Sequence, residues 1–325
     1  MSAKTSSPPR SSTTGKKSGA SRARTPDSAP LAPITDTASP RLASLEPAAA
    51  RWIATLIRVA SAHPAMSHVL DVLERLSDRP YRTNLLILGE PGTGKGGLAR
   101  ALSHLVAPHG RTVRVDLGGY PEEAALSRLC GEGEQPGLAE EANEGTLLIE
   151  EAAELSPRVQ NELLRILKTG RVIRRAAPGG SAQECRVRVS ALALSDKDLR
   201  AEVAAGRFRH DLYYRLARIV LWLPPLRERL DDIAAAAVWM GNRILEQTGV
   251  PLTLRGPEDM RRANVEEQRR SIELTKGAIE ALQQHSWPGN FRELEAVLER
   301  SLLLYRTDRR LGPDEVALAL RETHG

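Results

Sequence analysis

Seven consecutive residues, Gly89-Glu90-Pro91-Gly92-Thr93-Gly94-Lys95, place three glycines and a lysine between two apolar segments. Leu85-Leu86-Ile87-Leu88 comes before them, and Leu98-Ala99-Arg100-Ala101-Leu102, with helical spacing, comes after. Strand, glycine loop and helix is the order that a phosphate-binding loop requires. The glycines let backbone N–H groups turn inward around an anion, and the new helix directs its positive end to the same place. Lys95 adds a mobile point charge suited to the β- and γ-phosphates of ATP. A strand-to-helix turn can be glycine-rich for geometry alone; the lysine and both flanking elements favour nucleotide. The next residue is Gly96, so no hydroxyl follows the lysine to hold Mg2+.

A second candidate is the acidic pair Glu150-Glu151, which ends the apolar run Leu147-Leu148-Ile149. Acids at the carboxyl end of a buried strand sit where an open α/β sheet binds its ligand. One of them, Glu150, can organise Mg2+ and its waters, while Glu151 can polarise an attacking water. The bland alternative is that the acids here only begin a solvated helix face.

These groups need a scaffold, and the apolar pattern supplies one. It predicts strands at Asn84–Leu88, Thr112–Asp116, Thr146–Glu150, Val187–Leu194 and Ile219–Leu223, with helices between them, notably Pro157–Lys168. Alternation of this kind means an α/β domain with a parallel sheet and helices on both faces. Trp52, Leu56, Val59 and then Met66, Val69, Leu70, Leu73 and Leu76 suggest helices before the first strand. After Pro224-Pro225 the chain reads helical, which indicates a smaller α-helical lid domain. The expected organisation is therefore a tail over residues 1–47, an α/β domain over 48–225 and a helical domain over 226–325. The tail is about half Ser, Thr and Pro, and such a segment cannot offset its ordering entropy, so it is expected to be disordered.

Charge and composition narrow the function classes. The net charge is +5, and residues 1–45 supply all of that excess, with seven Lys and Arg against Asp27 and Asp36. The rest is close to neutral, which argues against a basic DNA-reading domain. Any DNA affinity is expected from the tail, without sequence readout. Cys130 and Cys185 form no disulfide framework and have no metal-ligand spacing, so both are expected to be buried small hydrophobes. No apolar run is long enough to span a membrane and no secretory signal is visible, so the expected location is the cytoplasm.

Further motifs carry a resemblance. They are Gly206–Leu216 (GRFRHDLYYRL), Leu223–Arg229 (LPPLRER) followed by Asp232-Ile233, and Trp287–Leu294 (WPGNFREL). With Gly89–Lys95 and Gly145–Glu151, their order resembles the AAA+ central domain of sigma-54-dependent, NtrC-like transcription activators, from about Pro64 to Leu320. The resemblance implies an ATPase with a P-loop α/β domain and a helical lid. It makes Lys95 the Walker A lysine, Glu150 and Glu151 the Walker B acids, Arg209 and Arg215 the arginine fingers for a neighbouring subunit's γ-phosphate, and Arg292 the sensor II arginine. Glu150 stands where the family has Asp, and Gly96 where it usually has Glu. The implied assembly is a homo-oligomeric ring or a mixed ring with a related activator.

The sequence also departs from that family. The GAFTGA loop that grips sigma-54 is missing, because only Gly131–Ala139 occupies its place, and no aromatic residue occurs between Tyr120 and Phe208. Asp116 and Ser195-Asp196 stand where the family has a sensor Asn and a Thr-Asn pair; added negative charge there should weaken binding or slow hydrolysis. Neither a receiver nor a helix-turn-helix domain is visible. Arg255–Arg270 looks like a charged insertion in the lid, expected to be a solvated helix. Three readings follow: a transcription-regulating ATPase that does not grip sigma-54 and binds no specific DNA by itself, a remodelling ATPase with another protein client, or a degenerate nucleotide-binding protein.

Overall fold

The computed structural model describes residues 63–78, 81–176, 181–306 and 308–322. The tail up to Pro47 and the apolar positions Trp52, Leu56 and Val59 lie outside them. In chain order, the first part runs α1 (Pro64–Asp78), β1 (Leu85–Leu88), α2 (Lys95–Val106), β2 (Thr112–Asp116) and α3 (Glu122–Cys130). Then come β3 (Gly131–Glu132), β4 (Gln135–Pro136), α4 (Leu138–Glu141), β5 (Thr146–Glu150), α5 (Pro157–Thr169), β6 (Arg171–Arg174) and β7 (Gln183–Arg186). It closes with β8 (Ser190–Ser195), α6 (Leu199–Ala204), α7 (His210–Leu216) and β9 (Ile219–Trp222).

Five of these strands form a parallel sheet in the order β2-β5-β8-β1-β9. Successive residues of its strands point to opposite faces; β1, β5 and β8 are buried on both, while the edge strand β2 buries only Val113 and Val115. Leu86, Leu147, Ile149, Ala191 and Ala193 enter one core with α3 and α5. Leu85, Ile87, Leu148, Leu192 and Leu194 enter another with α1 and α2. Continuous apolar runs are what the central positions demand, and the alternation of β2 suits its place at the edge. The order also sets β1 between β8 and β9, with β5 beyond β8, so the carboxyl ends of β1, β5 and β8 lie side by side.

The predicted strand at 187–194 begins later, at Ser190, because the preceding residues complete an antiparallel hairpin of β6 with β7. Cys185 lies on that hairpin and is half-exposed rather than buried. Cys130 is buried and its thiol lies 3.3 Å from a Glu162 carboxylate oxygen.

The second part runs α8 (Asp232–Gln247), β10 (Thr253–Arg255), α9 (Pro257–Arg262), α10 (Val265–Arg269) and β11 (Ser271–Leu274). It ends with α11 (Lys276–Gln283), α12 (Asn290–Arg300), β12 (Arg310–Leu311) and α13 (Pro313–Arg321). Its core gathers residues from Leu226 to Ala319 around a fully buried Trp287, whose indole N–H donates to the Leu282 carbonyl at 2.8 Å. The lid is helical, with an addition that periodicity did not show: β10, β11 and β12 form a small parallel sheet. Its buried apolar residues are Leu254, Ile272, Leu274 and Leu311, too few per strand to leave a pattern. The charged stretch at 255–270 is the crossover between β10 and β11. It forms two short helices, α9 and α10, with no buried residue, and Asn264 and Glu267 close a capping box that starts the second.

Candidate functional site

The P-loop leaves β1 and turns into α2 with positive φ at Gly89, Gly92 and Gly94. Gly92 shows why glycine is needed: its φ is 80°, and a Cβ there would stand 2.2 Å from the Gly289 carbonyl of the lid. Lys95 is buried, and its ammonium donates to the carbonyls of Gly89 at 2.6 Å and Glu90 at 3.3 Å. Burial, together with Arg292, pulls the Lys95 pKa down, while Glu151, Asp196 and Glu150 oppose the shift. Thr93 commits its hydroxyl to the Glu90 carbonyl at 2.8 Å. A Cβ at Gly96 would meet nothing within 4 Å, so this position is open space.

The acids arrive from the neighbouring strands. β5 ends at Glu150, and Glu151 follows in a left-handed conformation with φ 43° and ψ 57°. That backbone is costly for a residue with a side chain, and such strain gathers at functional sites. One Glu151 oxygen is buried without a hydrogen-bond partner. Burial raises the Glu151 pKa; the Asp196 carboxylate adds to the rise, and Lys95 opposes it. A carboxylate with raised pKa is suited to general-base work nearer neutral pH. Glu150 is differently placed: Arg114 of β2 grips both its oxygens, Nε at 2.5 Å and Nη2 at 2.6 Å.

Lys95, Glu150, Glu151, Asp196 and Arg292 line one cleft of about 1190 Å3, between the carboxyl edge of the sheet and the lid. The cleft is ample for a nucleoside triphosphate. Among the described residues, no three acidic, His or Cys side chains converge as a metal cage. Mg2+ usually takes one or two carboxylates plus substrate phosphates, so the chemistry of Glu150 and Glu151 fits it, provided Glu150 exchanges Arg114 for the ion.

Glu90 and Pro91 are bonded to the lid side. Arg227 holds Glu90 through two bonds, at 2.8 and 2.5 Å, and depresses its pKa. Asn290 donates to the Pro91 carbonyl at 3.0 Å and to Glu90 at 3.3 Å, and accepts from the Leu226 N–H at 2.7 Å. The Phe291 N–H donates to the Gly92 carbonyl at 3.0 Å. Arg229, also in the cleft wall, is buried with its guanidinium 4.7 Å from the centre of the Phe291 ring and 3.3 Å from the Thr93 carbonyl. Burial lowers its pKa to about 10. Sequence reasoning assigned no role to Arg114, Arg227, Arg229 or Asn290. The available signal was the cluster of charges directly after Pro224-Pro225.

Arg209 precedes α7 and Arg215 lies in its last turn, and neither lines its own chain's cleft. Arg209 is exposed and bonds Asp211 at 3.0 and 2.8 Å. Arg215 donates twice, at 3.1 and 2.8 Å, to the Leu167 carbonyl near the end of α5. The segment at Gly131–Gly137 is a tight hairpin. Arg174 pins it, donating to the Glu134 carbonyl at 2.9 Å while holding Glu140 through two bonds of 2.7 Å.

A P-loop sheet with a lid closing over paired acids defines an AAA+ nucleotide-binding protein. Family comparison places it further. Residues 59–222 match the Sigma-54 interaction domain and residues 259–325 the AAA+ ATPase lid domain, so the chain belongs to the Sigma-54 interaction domain family. It is 37% identical over 252 residues to the Nif-specific regulatory protein of Azotobacter vinelandii, covering 74% of this chain and 43% of that one. It is 36% identical over 266 residues to the anaerobic nitric oxide reductase transcription regulator NorR of Salmonella paratyphi C, covering 78% of this chain and 47% of that one. The chain thus spans less than half the length of these relatives. Among solved structures, NtrX from Brucella abortus in complex with ATP superposes with a TM-score of 0.67 at 26% identity, covering 84% of this chain and 59% of that one. Among the described residues, no helix is long and apolar enough to cross a membrane.

Proposed function

We propose that this chain binds ATP with Mg2+, hydrolyses it within a ring of subunits, and regulates transcription through a partner protein without gripping sigma-54. The observation that carries the nucleotide reading is the meeting of Lys95, Glu151 and Arg292 in one cleft at the carboxyl edge of the sheet. In this reading the amides of residues 89–96 and Lys95 bind the β- and γ-phosphates, and Arg292 closes from the lid. Glu151 accepts the proton of the water that attacks the γ-phosphorus as the bond to the β–γ bridging oxygen breaks. Mg2+, held by Glu150 and the phosphates, would neutralise charge on the leaving group. Arg209 and Arg215 would exchange Asp211 and the Leu167 carbonyl for a neighbour's γ-phosphate, which makes hydrolysis depend on assembly.

The partner reading rests on the pinned hairpin at 131–137, which is too short to present a gripping loop. Binding energy at interfaces concentrates in a few anchors, and here the anchor is missing. A second reading, nucleotide binding without turnover, is favoured by the Arg114 grip on Glu150 and by the charge of Asp196 beside Glu151. Measuring ATPase activity against protein concentration tests both. The first expects specific activity to rise with concentration; the absence of turnover at any concentration selects the second. A pull-down with purified sigma-54 and a transition-state nucleotide analogue tests the client, and a stable complex would overturn the partner reading.

A further inference from the structure

The near-neutral charge of the folded part conceals a segregated one. At the edge of the sheet opposite the nucleotide cleft, a notch of about 500 Å3 opens at the base of the β6–β7 hairpin. Arg171, Arg186 and Arg188 line it, and Val187 is the one apolar side chain among the described lining residues. Arg171 of β6 stands directly opposite Arg186 of β7 in the antiparallel register. Like charges at such a position repel, so this pairing lowers stability unless something negative lies against it. Buried Val187 lies between Arg186 and Arg188 in the chain, and the alternation turns both arginines outward.

The nearby acids offset only part of this charge. Glu184 pairs with Arg171 at 2.8 Å. Glu144, the acid in the notch wall, is taken by Arg82, which reaches its carboxylate at 2.6 Å and also holds the Arg188 carbonyl at 3.1 Å. No hydrogen bond or ion pair among the described residues engages the guanidinium of Arg186 or Arg188. The site therefore presents planar, permanently charged forks at the base of a hairpin with almost no apolar lining. That chemistry matches a phosphate oxyanion, which guanidinium binds with two parallel bonds. An acidic peptide would also bring side chains that need apolar contact, and the notch provides little.

We propose that this notch binds the phosphate backbone of duplex DNA, with Arg171, Arg186 and Arg188 as its cationic contacts. A fixed basic notch and the basic segment at 1–45 both suit a long, uniformly charged polyanion. Such contacts hold DNA without reading its sequence. The site is independent of ATP chemistry, because it lies at the amino-terminal ends of the strands that carry the P-loop and Glu150.

The test uses the full chain and a random-sequence 30-base-pair duplex, with binding followed by fluorescence anisotropy across a salt series. Each lost phosphate contact reduces the slope of log K against log salt by about 0.9, so R186A/R188A should flatten it by about 1.8. At 0.1 M salt this corresponds to a loss of affinity of up to about 60-fold. R186K/R188K should keep most of the slope and ATP affinity should not move in either variant, while the melting temperature of R186A/R188A should hold or rise because Arg171 no longer faces a like charge. An unchanged slope and affinity in a folded R186A/R188A protein would overturn the proposal. So would polyglutamate of equal charge displacing the duplex completely while binding more tightly through the same arginines, since the notch would then select acidic protein. Competition by inorganic phosphate only at concentrations far above those of the duplex phosphates supports a backbone site over a free-phosphate site; equal competition overturns it.

Discussion

Asn290→Ala should be among the most damaging single substitutions in the molecule. Asn290 is fully buried and joins three segments: its side chain accepts from Leu226 N–H at 2.7 Å and donates to the carbonyl of Pro91 at 3.0 Å. Alanine removes both of these bonds and the longer one to Glu90. The stranded Leu226 N–H costs about 1–3 kcal/mol, and losing the bond to Pro91 costs about 1 kcal/mol more. Asn290 also has φ 52°, a left-handed conformation that Asn tolerates and that costs most other residues about 1–2 kcal/mol. Together these give about 3–6 kcal/mol of lost stability at the junction of P-loop and lid. Asn290→Gly removes the same bonds without the φ penalty, so the two variants should differ by about 1–2 kcal/mol. Urea unfolding followed by circular dichroism measures both, and ATP titration reads the weakened P-loop. An Asn290→Ala midpoint equivalent to less than about 0.5 kcal/mol of change would refute the clamp reasoning, because surface substitutions alone produce shifts of that size.

Other outcomes follow from the same geometry. Lys95→Ala should weaken ATP binding by about 1.5–3 kcal/mol, the range for hydrogen bonds to charged groups, as read by calorimetric titration of a folded variant. Mixing Arg209→Ala subunits with Glu151→Gln subunits should restore part of the ATPase activity that each lacks alone; no recovery would count against fingers acting between subunits. Gly96→Ala should raise the melting point, because Gly96 lies in α2 with open space beyond it, and Ala is favoured over Gly in a helix by about 0.5–1 kcal/mol. The Glu90–Arg227 pair should contribute throughout the neutral range. Arg227 depresses the Glu90 pKa, so its contribution is full above the ordinary carboxylate range and is lost as pH falls through the depressed value. The stability difference between wild type and Arg227→Ala should be flat near neutrality and shrink only in acid, which denaturation at several pH values will show.

What the sequence determined by itself is what local order encodes. The P-loop is seven contiguous residues between a strand and a helix, so its chemistry and its context are read in one window. The parallel sheet was legible because its central strands are buried on both faces and therefore continuously apolar, while the edge strand β2 alternates. What only the tertiary structure decided involves residues far apart in the chain. Glu90 meets Arg227 and Asn290 across separations of 137 and 200 positions, and no periodicity encodes such a meeting. The lid sheet escaped notice because each of its strands is short and pairs with partners distant in sequence. Charge behaves the same way. The sum over the folded residues is near zero, yet folding sets Arg171 opposite Arg186 on one edge and the acids at another. A net charge is a sum over the chain, whereas an electric field depends on position, and position is assigned only when the strands pair.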